Sequence, residues 1–414
     1  ANSLGHAKDR SNGSGIMSGV LAFANSTVQW LAVQPSVAKP LVYVASFELV
    51  QEFSLQLRGQ REVPPELLIQ VLLSVLLAYL IGLLLFPKVR LATWATWYFW
   101  VSGDKKTRKP SPNQVDFKAP RCKRMKVVFI RHGESEWNAV FNKGSKLTMP
   151  FRLVRALISE AFMFFNQTDS LFIDSPLSNV GIDQAVELLT FLAAQPAGCI
   201  RPDMCKLPVS QLHQTDIVAI MRGDAGKSYI VSSILRRAIS TGLMSLSPRL
   251  LKTDPDVDQV FLMTSLQEIS RNIDTLTLTP AHTLPTIPAM EAASKSTGEL
   301  MRHFYRTRLD RLYSTGNKTL KQKAIKRQEQ FTKWVFDQDG VDLIIVLGHS
   351  LWFREFFRSY LPKATTHVAK TTKIVNCGVV AFDLYRDSQV EQIDPDSISE
   401  IYGGFEVKGS KKKR

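Results

Sequence analysis

The pattern of hydrophobic and polar positions separates one long apolar segment from a more regular remainder. Residues 67–87 run for 21 positions without a charged side chain, and about 20 such residues in a helix cross the hydrocarbon layer of a membrane. From residue 125 onward, short apolar runs alternate with helix-like stretches, and we predict strands at residues 126–130, 228–232, 342–347 and 379–384. The pattern therefore predicts a transmembrane helical region followed by an α/β domain.

Aromatic and basic residues follow the apolar segment. Trp94, Trp97 and Trp100 recur at a spacing of three, which places them on one helical face, as in the aromatic belt at a membrane interface. Four basic residues follow at positions 105, 106, 108 and 109. Because positive charge stays on the inner side of a membrane, the large C-terminal part is expected on the cytosolic or matrix side.

These features divide the chain into five predicted parts. They are an N-terminal segment (1–60), a transmembrane helix with its aromatic belt (61–103), a basic linker (104–124), the α/β domain (125–405) and a basic tail (406–414). Residues 16–50 form either helices at the membrane interface or a pair of ordinary packed helices. Because the sequence begins at Ala1, we expect that an initiator Met or an organelle presequence has been removed.

The charge is concentrated at two places. The 414 residues carry a formal charge of +15, and residues 104–126 and 408–414 together supply 12 of these charges. The remainder is nearly balanced, which argues against nucleic acid as a partner and favours basic flanks at a membrane surface. The four cysteines form no CxxC pair. We therefore expect neither a disulfide framework nor a zinc module, and place the domain in a reducing compartment.

Cationic and hydrogen-bonding side chains follow the first three predicted strands. Arg131 and His132 come directly after the first, Arg237 shortly after the second, and His349 after the third. In open α/β sheets, ligands bind outside the carboxyl ends of the strands. Such side chains beside helix N-termini suit a phosphate group, so these segments are expected to converge on one phosphate-binding crevice.

Four sequence motifs resemble those of one family. Residues 131–138 read RHGESEWN, and residues 233–241 read SILRRAIST, in which Arg237 would be the functional arginine. Glu268 lies in a Leu-Gln-Glu motif, and His349 follows a glycine. In this order, they resemble the histidine phosphatase superfamily, the phosphoglycerate mutase-like proteins, over residues 125–385. Residues 177–185 are similar to the helix start that follows the first motif there. The resemblance implies a three-layer α/β/α fold.

The resemblance also implies a mechanism. His132 would attack phosphorus as a neutral imidazole, a form that neighbouring arginines favour. Glu268 would first act as the general acid and then as the base for water. The resemblance implies no cofactor, and we find no cluster of metal ligands. The implied site residues are His132, Arg131, Arg237, Glu268 and His349 for catalysis, with Asn138 and Ser135 for substrate binding.

Other features refine this interpretation. Residues 139–144 differ from the segment that seats a bisphosphate in cofactor-dependent mutases, which favours a phosphatase over a mutase. If Glu268 is not the acid, the loop 254–258 with its three aspartates is the alternative. Arg236 is expected to face solvent. The apolar insert 151–165 either covers the site, dips into the membrane interface or packs on the domain, and packing is the preferred interpretation.

We therefore predict a membrane-anchored phosphatase that hydrolyses phosphate monoesters through a phosphohistidine. Its expected partners are a phosphorylated protein or small molecule, membrane lipid and subunits of a membrane complex. The rival interpretation is an accessory subunit of such a complex that retains the fold without the activity. Lys411 and Lys412 resemble the dilysine signal of endoplasmic-reticulum membrane proteins, whereas the charge bias fits the mitochondrial inner membrane equally well.

Overall fold

The computed structural model describes residues 65–104, 115–117, 119, 122–143, 145, 147–196, 204–388 and 390–406. The predicted N-terminal segment 1–60, most of the predicted linker and the tail after residue 406 lie outside the described residues. The chain divides into two units, residues 1–90 and residues 91–414.

The described part of the first unit is helical. Helix α1 spans Pro65–Leu85, and helix α2, Pro87–Val101, begins with a proline, whose missing N–H is tolerated in a first helical turn. The stretch Leu68–Leu85 has a mean hydropathy of 2.6 and no buried residue. Among the described residues, it is the one helix long and apolar enough to cross a membrane.

The second unit contains a mixed sheet flanked by helices. Its strands are β1 Lys123–Arg131, β2 Ser228–Ser233, β3 Val260–Met263, β4 Leu309–Asp310, β5 Leu343–Gly348, β6 Val379–Asp387, β7 Val390–Ile393 and β8 Ser399–Tyr402. Its helices after α2 are α3 Glu136–Phe141, α4 Met149–Phe162, α5 Asn179–Ala194, α6 Gln214–Met221, α7 Arg236–Ser245, α8 Ser247–Lys252, α9 Ala289–Ala292, α10 Gly298–Thr307, α11 Ala324–Phe336 and α12 Ser350–Tyr360.

The sheet places three motif-bearing strands side by side. The strand order is β4-β3-β2-β5-β1-β6-β7, and β8 pairs with β6. Strand β5 lies parallel between β1 and β2, with Val128 opposite Ile345 and Ile230 opposite Ile345 on its other side. The four predicted strands are thereby confirmed as β1, β2, β5 and β6.

Helices cover both faces of the sheet. Val128 and Ile130 of β1 belong to a core with α5, α6, α7 and α10, whereas Val127 and Phe129 belong to a second core with α11 and α12. The Phe129 ring stacks on Phe353 with centroids 4.1 Å apart. Full burial of such a side chain contributes about 1.5–3 kcal/mol. Two cores on opposite faces confirm the predicted α/β/α layering.

The insert forms helix α4, but its apolar side chains face outward. Phe151 is 79% exposed and Phe162 is 85% exposed, and Ala156 is the buried residue of the helix. The preferred interpretation, a helix packed on the domain, holds through Ala156, whereas most of the apolar side chains of α4 face outward. The less exposed side of α4 also carries Glu160, which accepts hydrogen bonds from Ser170 Oγ and Leu171 N–H.

Candidate active site

The carboxyl ends of β1, β2 and β5 meet at one edge of the sheet. Arg131, the last residue of β1, lies opposite Gly348, the last residue of β5. His132 and His349 follow directly, and their ring centroids are 5.0 Å apart. Arg237 lies in the first turn of α7, just after β2. The structure thus brings together the segments that the sequence predicted to converge.

Close packing of two glycines fixes the loop after β1. A Cβ on Gly133 would lie 2.5 Å from the Gly181 carbonyl oxygen, and a Cβ on Gly181 would lie 2.0 Å from the Glu134 oxygen. Neither position therefore accepts a side chain. Ser178 caps α5 by accepting from Gly181 N–H, which confirms the predicted helix start. The N-terminus of α5 thus holds the histidine loop against the sheet.

His132 is buried and has one defined ring hydrogen bond. Its Nδ1 contacts the Gly133 carbonyl oxygen. Because a carbonyl can only accept, we assign the hydrogen to Nδ1, which leaves the lone pair on Nε2. Burial, followed by the charges of Arg237 and Arg131, holds the pKa of His132 well below its usual 6.5. Burial, more than the neighbouring arginines that the sequence pointed to, therefore keeps this imidazole neutral.

His349 is held by a short chain of hydrogen bonds. Leu235 N–H donates to the Ser233 hydroxyl at 3.3 Å, and that hydroxyl lies 2.8 Å from His349 Nε2. If the hydroxyl donates to Nε2, the remaining ring hydrogen lies on Nδ1. That Nδ1 is buried and has no hydrogen-bond partner among the described residues. Burial, then Arg237 and His132, keep the pKa of His349 well below 6.5.

The two predicted phosphate-binding arginines are fixed in similar ways. Arg131 donates to the Ile374 carbonyl and to Glu406 Oε1, the latter at 2.9 Å. Arg237 donates to the Asp274 carbonyl at 2.8 Å, and its other terminal nitrogen lies 3.3 Å from Asp274 Oδ2. Within the described residues, the Nε atoms of both arginines are buried without a partner. Each guanidinium is therefore held in place with N–H groups left for an anion.

Asp274 is a residue that the sequence argument missed. Burial raises its pKa to about 6, although Arg237 beside it acts in the opposite direction. Its position six residues after Glu268 matches no motif, so only the folded loop places it near Arg237. The buried Asp274 carboxyl therefore balances part of the positive charge of Arg237.

Glu268 lies against the N-terminus of α12, beside His349. Its Oε1 accepts from Trp352 N–H at 2.9 Å and Ile269 N–H at 2.8 Å, and its Oε2 accepts from Leu351 N–H at 3.2 Å. These amides, two of them at the start of α12, fix the position of the Glu268 carboxyl. The structure thus places the predicted acid at the same corner as the second histidine.

The alternative acids in loop 254–258 are far from this corner. Asp258 pairs with Arg249, whose guanidinium also contacts Ser228. Ser228 begins β2, whereas Ser233, which contacts His349, ends it. The alternative is therefore wrong, because these aspartates lie at the amino end of the strands, opposite the candidate site.

Ser135 and Asn138 occupy the start of α3. The Ser135 hydroxyl caps this helix by accepting from Asn138 N–H. Asn138 Oδ1 accepts from the Asn142 side chain at 2.7 Å. Both residues are held next to the histidine loop, and their role in substrate binding stays a prediction.

Arg236 differs from its expected position. It is 1% exposed rather than facing solvent. Its guanidinium lies 2.7 Å from Asp169 Oδ1 and 3.7 Å from Asp174 Oδ2. The expectation was wrong because every residue of α7 is buried, so no face of that helix meets water. Arg236 ties the insert to α7 and takes no place beside the histidines.

The chain is similar to several solved structures at low sequence identity. No family model and no curated protein matches the chain. A mycobacterial glucosyl-3-phosphoglycerate phosphatase, solved with VO3, matches at 14% identity and a TM-score of 0.31, over 65% of this chain and 97% of that one. Phosphoserine phosphatase from Entamoeba histolytica matches at 14% identity and a TM-score of 0.26, over 62% and 90% respectively.

Proposed function

We propose that the chain is a membrane-anchored phosphatase that hydrolyses phosphate monoesters through a phosphohistidine on His132. The observation that carries the proposal is the state of this ring. It is neutral, its Nδ1 is tied to the Gly133 carbonyl, and it lies 5.0 Å from the second histidine ring. A neutral imidazole with a lone pair on Nε2, surrounded by cationic groups, is suited to attack phosphorus.

In the first step, His132 Nε2 forms a bond to phosphorus as the ester P–O bond breaks. The leaving oxygen takes its proton from Glu268, and the product alcohol departs. The phosphoryl group is then bonded to Nε2, while Nδ1 of the same ring keeps its hydrogen bond to the Gly133 carbonyl. That bond keeps the ring from turning while the charge on it changes.

The cationic side chains stabilise the charge that spreads over the phosphoryl oxygens. Arg131 and Arg237 are buried at 7% and 2% exposure, so their charges act in a medium of low dielectric constant. His349 Nδ1–H, the tautomer assigned above, adds a neutral donor. Because these donors are held by backbone carbonyls and carboxylates before substrate arrives, little reorganisation is needed.

In the second step, water attacks phosphorus and the P–N bond breaks. Glu268, now a carboxylate, takes a proton from the water, and inorganic phosphate leaves with the His132 ring neutral again. Hydrogen bonds from Leu351 and Trp352 N–H hold the Glu268 carboxyl in place during this step.

A substrate panel tests the activity. The purified full chain should hydrolyse at least one class of monoester among phosphopeptides, small metabolite phosphates and nitrophenyl phosphate. His132→Ala should abolish that activity, whereas His303→Ala, at an exposed histidine on α10, should leave it unchanged. Hydrolysis that survives His132→Ala would overturn the proposed function.

Membrane anchoring through α1 is the second part of the proposal. The support is the length and hydropathy of Leu68–Leu85 and the exposure of its side chains, such as Leu84 at 76%. The chain should stay in the membrane pellet after alkaline carbonate extraction. Arginine at two central positions, Leu76→Arg with Leu80→Arg, should release it, because each central arginine costs about 2.5–3.5 kcal/mol. Release of the unmodified chain into the supernatant would contradict the proposal that α1 spans the membrane.

Helix α4 adds a second contact with lipid in this proposal. Its exposed apolar residues include Phe151, Val154, Ile158 and Phe162, and the exposed charge on the helix is the basic Arg155. An apolar face edged by a basic side chain suits an anionic lipid surface. The basic segments at residues 104–126 and 408–414 favour the cytosolic or matrix side for the domain. The substrate class, a phosphoprotein or a small phosphate, follows from the panel.

A further inference from the structure

A buried charge cluster lies beside the loop that carries Glu268. Asp104 Oδ2 lies 2.8 Å from Lys318 Nζ, and Asp104 Oδ1 lies 2.8 Å from an Arg327 terminal nitrogen. The three side chains are 0% exposed. One carboxylate therefore compensates two cations in a place that water does not reach.

Both cations also hold the backbone of the Glu268 loop. Lys318 Nζ donates to the Glu268 carbonyl at 2.6 Å and to the Ser270 carbonyl at 2.5 Å. Arg327 donates to the Gln267 carbonyl. Three carbonyls around the proposed acid therefore depend on cations whose charge Asp104 balances. No described strand pairs with this loop, so its backbone carbonyls are bonded by these side chains and not by a neighbouring strand.

The geometry of Lys318 shows why Asp104 matters. Burial lowers the pKa of Lys318 to about 8, while Asp104 acts in the opposite direction. Without the carboxylate, two buried cations would face each other and Lys318 would tend to lose its proton. A lysine that is neutral or displaced is a poorer donor to the carbonyls of Glu268 and Ser270.

We propose that Asp104 is a positioning residue for the general acid, acting through Lys318 and Arg327 on the backbone of loop 267–270. This inference rests on the proposed function, because it assigns Glu268 the role of acid. Asp104 follows α2 within three residues, in a part of the chain that the predicted boundaries assigned to the linker. The segment directly after the proposed membrane region thereby becomes part of the catalytic apparatus.

A shortened chain that lacks Asp104 should differ from the full chain in stability and activity. A form that begins after the linker, near residue 121, contains every motif residue but lacks Asp104. It should fold less stably and lose activity toward esters whose leaving group needs a proton, because Lys318 and Arg327 remain buried without their carboxylate. Asp104 therefore belongs in any soluble form designed to be active.

The test compares Asp104→Asn with a matched control in the full chain. Asp258→Asn removes a buried aspartate from an arginine pair at the opposite end of the strands. For each variant, kcat/KM is measured on an alkyl phosphate and on nitrophenyl phosphate, whose leaving group needs no proton. Hydrogen exchange of residues 264–275 is measured in parallel, so that the effect on the loop is seen without turnover.

Asp104→Asn should lower kcat/KM for the alkyl phosphate by about 10²-fold, the loss expected when a catalytic group is misplaced by about 1 Å. Nitrophenyl phosphate should lose much less, and exchange should rise in residues 264–275 but not around His132. Asp104→Glu keeps the negative charge. It should therefore bring the ratio of kcat/KM for the alkyl phosphate to kcat/KM for nitrophenyl phosphate part of the way back to that of the unmodified chain. Asp258→Asn should leave that ratio unchanged.

Two results would overturn the inference. One is an equal loss on both substrates together with unchanged exchange in residues 264–275. The other is the same change of ratio in Asp258→Asn, since a general loss of stability would then explain the effect. Absence of all phosphatase activity in the unmodified chain would instead refute the proposed function. The exchange of the loop would still show whether Asp104 holds it.

Discussion

The phosphate side of the candidate site and its acid side are held in different ways. On the phosphate side, Arg131, His132 and His349 lie at or just after the ends of adjacent strands. Backbone carbonyls hold Arg131 and His132, and the Ser233 hydroxyl at the end of β2 holds His349. On the acid side, Glu268 lies in a loop without strand pairing and depends on Lys318 and on the start of α12. In the proposed mechanism, the sheet therefore positions the phosphate, whereas side chains from distant segments position the proton donor.

This difference teaches where substitutions should act. A change on the phosphate side removes a charge or a nucleophile that every substrate needs, so kcat/KM should fall for all substrates. A change on the acid side moves or removes a proton donor, so kcat/KM should fall more for substrates with a more basic leaving group. The comparison is sharpened by variants on each side, measured on the same pair of substrates.

The largest expected selective effect is that of Glu268→Gln. Loss of a general acid typically lowers the rate by about 10²–10⁴-fold, and this loss should fall on alkyl phosphates. Nitrophenyl phosphate should be hydrolysed much closer to the unmodified rate, because nitrophenolate leaves without a proton. The ratio of kcat values for the two substrates checks this, and a uniform loss would remove the acid role from Glu268.

Arg237→Ala should lower kcat/KM on both substrates alike, by about 10²–10³-fold, as for removal of one donor to a developing oxyanion. Its neighbour provides the matched comparison. Arg236→Ala should instead cost about 3–5 kcal/mol of stability, because two carboxylates stay buried without their cation. Denaturant unfolding and steady-state kinetics separate the two outcomes. Equal kinetic losses in the folded proteins would contradict this division of roles.

The neighbouring arginines show how much of the site the sequence could predict. Motif order identified Arg237, because its role depends on a short, contiguous segment after a strand. Arg236 was misplaced because its exposure depends on residues 169–174, which belong to an insert without a motif. The strands were predictable from their apolar runs, since a central parallel strand is buried on both faces.

The acid side was predictable only in part. Glu268 stands in a recognisable tripeptide, but its supports come from residues 104, 318 and 327, which are far apart in the chain. No local pattern links an aspartate to cations more than two hundred positions away. The direction in which the apolar residues of α4 point was likewise not predictable, because the sequence pattern of an apolar helix is the same whether those residues face inward or outward.

The smallest expected effect concerns pH and applies to the phosphate side. Because the pKa of His132 lies well below 6.5, the ring stays neutral until the pH falls below that value. The kcat/KM for nitrophenyl phosphate should therefore stay level as the pH is lowered from 8 to 6.5. A histidine with an ordinary pKa would be about half protonated at pH 6.5. A twofold loss of kcat/KM at pH 6.5 would therefore contradict the lowered pKa of His132.

The most direct test of the account is to locate the phosphate on the enzyme during turnover. The reaction is quenched in alkali, and the peptide that contains residue 132 is analysed by mass spectrometry, with Glu268→Gln used to slow release of the phosphoryl group. The account predicts an acid-labile phosphate on His132 that forms from substrate at a catalytically competent rate and is absent in His132→Ala. An acid-stable phosphate on another residue such as Ser135, or turnover with no phosphate on His132, would contradict it.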